Sequence, residues 1–425
     1  MPGGTPLRGP RLPPRSVKNH HSPRLGYFDP TAAWLRNAVR VKLAAMQNTL
    51  SDDALAAWLR LSLQPGIGAI HAQRLLQAFD DPRALYQASY ATLRAILSAP
   101  LATQLVQPLS PDTAHYIERA LRWSQEPSHA LITPAHPLYP ERLRQMPDAP
   151  LVLYARGALR RLEQDALALV GARNATADGV DHAHAFARYL AQQGFAIVSG
   201  LAHGIDAAAH RGALEAGPEH GGTIAVLGTG ADIIYPASHR SLAEDILSAD
   251  GLILSEFELG RPALAAHFPK RNRIVAGLSL GVVVVEAALK SGSLITARLA
   301  VDMGREVFAI PGSIHSPLAR GPHALIKQGA KLVESGADIL AELQPRANRT
   351  HKVAKGLAYT TSQPTPNSPT WHAIGYDPIT EDQLQRRTGL APAQLQVELF
   401  TLELEGHIAR RGHGQFVRTP TQSVS

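Results

Sequence analysis

The sequence predicts an α/β protein built on a doubly wound, mostly parallel sheet, with a helical domain before it and a small domain after it. From Ala166 onward, short apolar runs alternate with helical stretches, the pattern of strand-crossover-strand units. Those runs end in small residues, where such sheets open a ligand crevice. Before them the periodicity is helical, and after Leu340 the composition shifts to Arg, Thr, Ser, Asn and Pro.

The chain of 425 residues has room for two or three domains. Its formal charge of +7 is local: residues 1–50 hold eight Lys or Arg against the single acid Asp29, leaving 34 of each sign elsewhere. Bulk charge therefore argues nothing about the folded body, and any anion site must show as a local cluster. Residues 1–48 read as a disordered basic tail, either a genuine arm or sequence ahead of a start at Met46. The absence of cysteine excludes disulfides, thiolate zinc sites and cysteine nucleophiles. No apolar run is long enough for a bilayer and no signal-peptide core is present, so the expectation is a cytoplasmic protein without membrane contact.

Residues 49–130 read as a helical domain. Ser51 or Asp52 caps a helix through Leu55, Trp58 and Leu59, and Pro65-Gly66-Ile67-Gly68 turns into a second helix from His71 to Phe79. The arrangement is SAM/helix-hairpin-helix-like; a packing turn is the first reading and a phosphate-contacting turn the second. Pro-rich segments around residues 136–140 and 147–150 mark an extended connection.

Strands are expected at 166–170, 195–199, 223–227, 252–255, 282–285 and 306–310, apolar on both faces as a buried parallel sheet requires. The first runs into Gly171-Ala172-Arg173, which sets a cation just past its end. Phe268-Pro269-Lys270-Arg271-Asn272-Arg273 places three cations at an expected helix start, where the positive end of the dipole favours anions. Lys290-Ser291-Gly292-Ser293 makes a second such start. Two anion-seeking helix starts near one aromatic ring point to a phosphate chain with bases.

Other chemistries fit less well. Gly228-Thr229-Gly230 lacks a third glycine, since Ile233 stands there, and no Walker A run exists. His182 and His184 face different ways on a helix and no metal cluster completes them, so no metal or cofactor is expected. Asp206 reads as a helix cap with His210 as its partner one turn on, not as an acid-base pair. Ser199 lacks a nucleophile elbow, and no catalytic residue is assigned.

Residues 346–370 read as a linker and 371–420 as a winged-helix-like domain: a helix at 380–388, a turn at Gly389, a helix at 392–405, and two strands flanking Arg411-Gly412-His413-Gly414. The second helix has the recognition position yet carries Glu398 and Glu403, with Glu405 at its end, and no Lys or Arg from 391 to 406. The expectation is protein contact or shielding, with any DNA contact from Arg410, Arg411 and Arg418.

Val170-Gly171-Ala172-Arg173, Ser199-Gly200-Leu201-Ala202-His203-Gly204-Ile205-Asp206, Tyr235-Pro236, Phe268 to Leu278, Ser291-Gly292-Ser293-Leu294-Ile295-Thr296-Ala297 and Leu325-Ile326-Lys327-Gln328-Gly329-Ala330 occur in the order of the DNA-processing protein A (DprA, or Smf) family. The chain resembles that family over residues 130–340. The resemblance implies an extended Rossmann-like domain at 131–345 and a non-enzymatic mediator that binds and protects incoming single-stranded DNA. It also implies homodimer formation and loading of RecA recombinase during natural transformation. Carried onto this sequence, the family's binding residues are Arg173, Phe268, Arg271, Asn272 and Arg273, with Arg240 and Lys290 as additions; the strand-end residues Ser199 and Gly200 and the helix-start residues Ser291, Gly292 and Ser293 complete the expected nucleic-acid-binding set. The alternative is a Rossmann-fold nucleotide or nucleoside hydrolase of the lysine-decarboxylase-like type. That family's Pro-Gly-Gly-x-Gly-Thr run is missing here, where Glu286-Ala287-Ala288-Leu289-Lys290 follows the strand.

Overall fold

The computed structural model describes residues 50–343 apart from 80, and 368–419 apart from 376, 412 and 413. The basic segment 1–48 and most of the expected linker lie outside those residues. Residues 368–370, expected as linker, instead form the Ser368 cap and first turn of a helix.

Helices α1 (Asp52–Ser62), α2 (Ala69–Phe79), α3 (Pro82–Gln87), α4 (Tyr90–Arg94), α5 (Ala99–Val106) and α6 (Pro111–Ser124) come first. Ser51, Asp81, Ser89 and Ser110 each accept from a first-turn N–H, so side chains satisfy donors that a helix start leaves open. The turn between α1 and α2 rests on Gly66 at φ 77°. The helices bury Leu59, Leu75, Leu85, Leu93 and Leu105 in one cluster with Leu131, Val152 and Tyr154, which packs them directly onto the edge of the sheet.

The α/β body follows as β1 (His129–Ile132), α7 (Glu141–Arg144), β2 (Leu153–Gly157), β3 (Ala166–Val170), α8 (Ala177–Gln192), β4 (Ala196–Ser199), α9 (Ile205–Glu215), β5 (Thr223–Val226), α10 (Arg240–Ser248), β6 (Leu252–Ser255), α11 (His267–Leu278), β7 (Gly281–Val284), α12 (Gly292–Asp302), β8 (Glu306–Ala309), α13 (Arg320–Lys327), β9 (Lys331–Leu332) and α14 (Gly336–Leu343). The strand order is β1-β2-β6-β5-β4-β3-β7-β8-β9. Strands β3 to β9 pair in parallel, with Leu167 opposite Ile197 and Gly281, while β2 and β1 add an antiparallel edge. The six expected strands are present within a residue of their expected ends. Strands β1, β2 and β9 were not expected, because Pro and His flank the first two and the third is two residues long.

Chain order reverses at β3. From β3 the chain crosses through α8 to β4 on one side, and from β7 it crosses through α12 to β8 on the other. The carboxyl ends of β3 and β7 thus diverge, and a crevice opens between their loops.

The last domain comprises α15 (Pro369–Ala373), β10 (Ile379–Thr380), α16 (Glu381–Thr388), α17 (Pro392–Leu404), β11 (Ile408–Arg411) and β12 (Gln415–Arg418), with β10-β12-β11 in one antiparallel sheet. Thr380 and Gln383 form a capping box at α16, and Gly389 ends it at φ 68°. Leu384, Leu395, Leu399, Leu402 and Phe416 make its core, giving a winged helix.

Candidate nucleic-acid interface

A crevice of about 620 Å³ lies over the carboxyl ends of the central strands. Gly171 and Arg173 come to it from the loop after β3, Ala202 from the loop after β4, Asp206 from the first turn of α9, and Tyr235 from the loop after β5. The start of α11 supplies Phe268, Arg271 and Asn272, and the start of α12 supplies Ser291, Gly292, Ser293 and Thr296. Both helix starts that read as anion-seeking therefore open on the same space, and neither first turn holds an acid. Helix α11 begins at His267, so Pro269 stands third in it.

Phe268 sets an aromatic ring in the crevice wall. The Arg173 guanidinium carbon lies 5.3 Å from the centre of its ring, within cation–π range. Tyr235, 46% exposed, lies 5.7 Å from Phe268 at 43° between planes. A Cβ at Gly228 would sit 3.0 Å from Phe268 Cδ1, so a glycine there lets the ring lie close against the strand end. The sequence motif contained Tyr235, but nothing in its spacing showed that β5's loop returns to the ring.

Arg271 lines the crevice yet is only 4% exposed. Its Nη1 donates to Val226 O at 2.5 Å and its Nε donates to Asn272 Oδ1 at 3.1 Å. A Cβ at Gly200 would fall 1.9 Å from Nη1, so the glycine makes room for the guanidinium. Burial pulls the Arg271 proton affinity down, and the neighbouring Asp206 carboxylate opposes that. Asp206 is pushed up by burial, against Arg271 and the N–H groups of Gly200 and Ala202. Arg271 is thus a pin through the floor, with its charge turned inward.

The other expected residues divide. Asn272 Nδ2 reaches Gly292 O at 3.4 Å, joining α11 to α12. Ser291 caps α12 by accepting from Ser293 N–H, and Gly292 stands exposed between them. Arg240 and Lys290 are exposed but are not part of the crevice lining. Ser199 is fully buried and donates to Leu169 O at 2.6 Å, which removes it from the surface; Gly200 beside it lines a smaller hollow with Arg173 and Phe268. Arg273 lies outside the crevice: it pairs with Glu256 and Asp148 and donates to Asp148 O at 2.7 Å. Two helical positions beyond Arg271, it points to another side of α11.

The Asp206–His210 pairing expected from sequence does not form. Gly204, at φ 71°, is the N-cap of α9, and Asp206 instead accepts from the loop before it. The His210 Nδ1 lies 2.7 Å from Thr223 Oγ1, whose hydroxyl donates to Ile197 O, so the imidazole donates to that oxygen from Nδ1. Burial holds it down at about 3. His184 pairs with Glu215 at 2.9 Å, and no group of metal-ligating side chains occurs among the described residues.

The winged helix presents no free wing arginine. Arg411 bridges Asp178 and Asp181 of α8 at 3.1 and 3.2 Å, Arg410 pairs with Glu403 at 3.7 Å, and Arg418 donates to Trp371 O at 2.8 Å.

Comparison with known proteins agrees with this architecture. The family model for DNA recombination-mediator protein A matches residues 130–344, and that for the DprA winged helix domain matches 369–414. Protein Smf of Escherichia coli is 42% identical over 296 residues, covering 69% of this chain and 78% of that one. Protein Smf of Synechocystis is 33% identical over 397 residues, covering 85% and 98%. An X-ray structure of DNA processing protein A from Streptococcus pneumoniae superposes with a TM-score of 0.57 at 34% identity, covering 69% of this chain and 99% of that one. This chain belongs to the DNA recombination-mediator protein A family, with that family's α/β domain followed by its winged helix.

Proposed function

We propose that the crevice binds single-stranded DNA and that the protein is a mediator and not an enzyme: it shields the strand and passes it to a RecA-type recombinase during transformation, acting as a cytoplasmic homodimer. The observation that carries the reading is Arg173 standing over the face of Phe268 at the mouth of two helix starts that lack acids. The half-buried Phe268 ring, which lines the crevice, offers stacking to any base, while Arg173 and the positive ends of the α11 and α12 dipoles attract phosphate oxygens. Binding of that kind needs a splayed strand and reads no sequence.

The lining argues against the hydrolase alternative. Asp206, the carboxylate it contains, is buried and engaged by two backbone N–H groups, so it cannot serve a water at the surface. The relatives' names, recombination mediator and DNA processing protein, accord with the reading. No described helix is long and apolar enough to cross a membrane.

An oligothymidine carrying one 2-aminopurine tests the platform. Stacking on Phe268 is expected to change the probe's fluorescence, and Phe268→Ala to abolish the change with a loss of about 1–3 kcal/mol in affinity. Equal affinity for wild type and variant rejects the platform.

A further inference from the structure

Helix α17 is apolar on two opposite sides. One side buries Leu395, Leu399 and Leu402 in the winged-helix core. The other leaves Val397, Phe400 and Leu404 in solvent at 66, 67 and 77% exposure, in line with the exposed Ala393. At 100° per residue these four side chains fall within one narrow stripe, the i, i+4, i+7, i+11 spacing of a helix–helix seam. A helix that reads a DNA groove carries polar and basic side chains on that face; this one carries a hydrophobic row.

We propose that this stripe pairs antiparallel with the same stripe of a second copy of this chain, joining two winged helices. The spacing of four, three and four residues reads the same in both directions. An antiparallel partner therefore sets Ala393 against Leu404 and Val397 against Phe400, small against large throughout, as a two-fold interface requires. No charge interrupts the row: Glu398 lies away from it and accepts from Thr370 N–H, and Glu403, on its flank, pairs with Arg410. Four side chains present far less than the ~800 Å² per partner of a stable dimer, so the contact is weak alone and holds best between copies joined elsewhere. The homodimer proposed above names no surface, and this pairing stands or falls without DNA.

The chain has no cysteine, so Val397→Cys in the full-length protein makes a unique reporter. With a short bis-maleimide at about 100 µM protein, where even a millimolar contact is measurably populated, a covalent dimer is expected. Adding Leu404→Glu should abolish it while circular dichroism and melting stay as in the parent, since Leu404 packs into no core. No covalent dimer from Val397→Cys, or one that survives Leu404→Glu, overturns the proposal. So does crosslinking only to a different protein.

Discussion

Arg271 and Arg173 stand on the same crevice and should fail in opposite ways. Arg271→Ala removes a buried cation that holds Val226 O and offsets the buried Asp206 carboxylate, and it leaves a hollow against Gly200. Taking one partner from a buried charged arrangement costs about 3–5 kcal/mol of folding stability. That is a large share of a typical domain's margin. Arg173→Ala removes an exposed side chain, so stability should hold within about 0.5 kcal/mol while single-strand affinity falls by about 1–3 kcal/mol. Urea unfolding followed by circular dichroism gives the first quantity, and fluorescence anisotropy with labelled oligothymidine gives the second. An Arg271→Ala protein that unfolds at the wild-type midpoint would refute the inward-facing pin, whatever its DNA affinity.

Three more outcomes follow from the same geometry. Gly200→Ala drives a methyl group into the Arg271 guanidinium, so a loss of about 1–3 kcal/mol in stability is expected, and unchanged unfolding would show that the floor yields freely. Because His210 stays neutral down to about 3 while the unfolded chain protonates near 6.5, the unfolded state binds the extra proton between them, and stability falls as pH drops through that window. Its contribution is up to about 1.4 kcal/mol per pH unit, and His210→Gln should flatten the slope between pH 5 and 6.5 by that order; an identical slope removes His210 as the cause. Deletion of residues 369–425 should leave single-strand affinity intact, because the wing arginines are engaged within the protein; a collapse of affinity places the winged helix in the DNA site.

Much of this fold was legible because a parallel sheet buried on both faces writes itself as uninterrupted apolar runs, and six of the nine strands do so. Strands β1 and β2 were hidden because prolines and histidines surround them, and pairing with β6 comes from chain segments about a hundred residues apart. The site was legible in outline: Arg173 and Phe268 meet, and the starts of α11 and α12 share a space. Its detail was not. Three adjacent polar residues, Arg271, Asn272 and Arg273, go to the floor, to α12 and to Glu256, and only the phase of α11 decides which goes where. Ser199 sits in the same motif as Gly200, yet its hydroxyl turns to Leu169 O, a direction that depends on the alternation along β4. Tyr235 could be placed against Phe268 only once the path of the loop after β5 was known.

The most direct measurement is anisotropy of fluorescent oligothymidine and of a duplex of equal length, titrated with the purified chain at two salt concentrations. Binding to the single strand well above duplex, weakening with salt by a log–log slope of about 0.7 per phosphate contacted, is the predicted result. Preference for duplex, or indifference to both nucleic acids, would contradict the account.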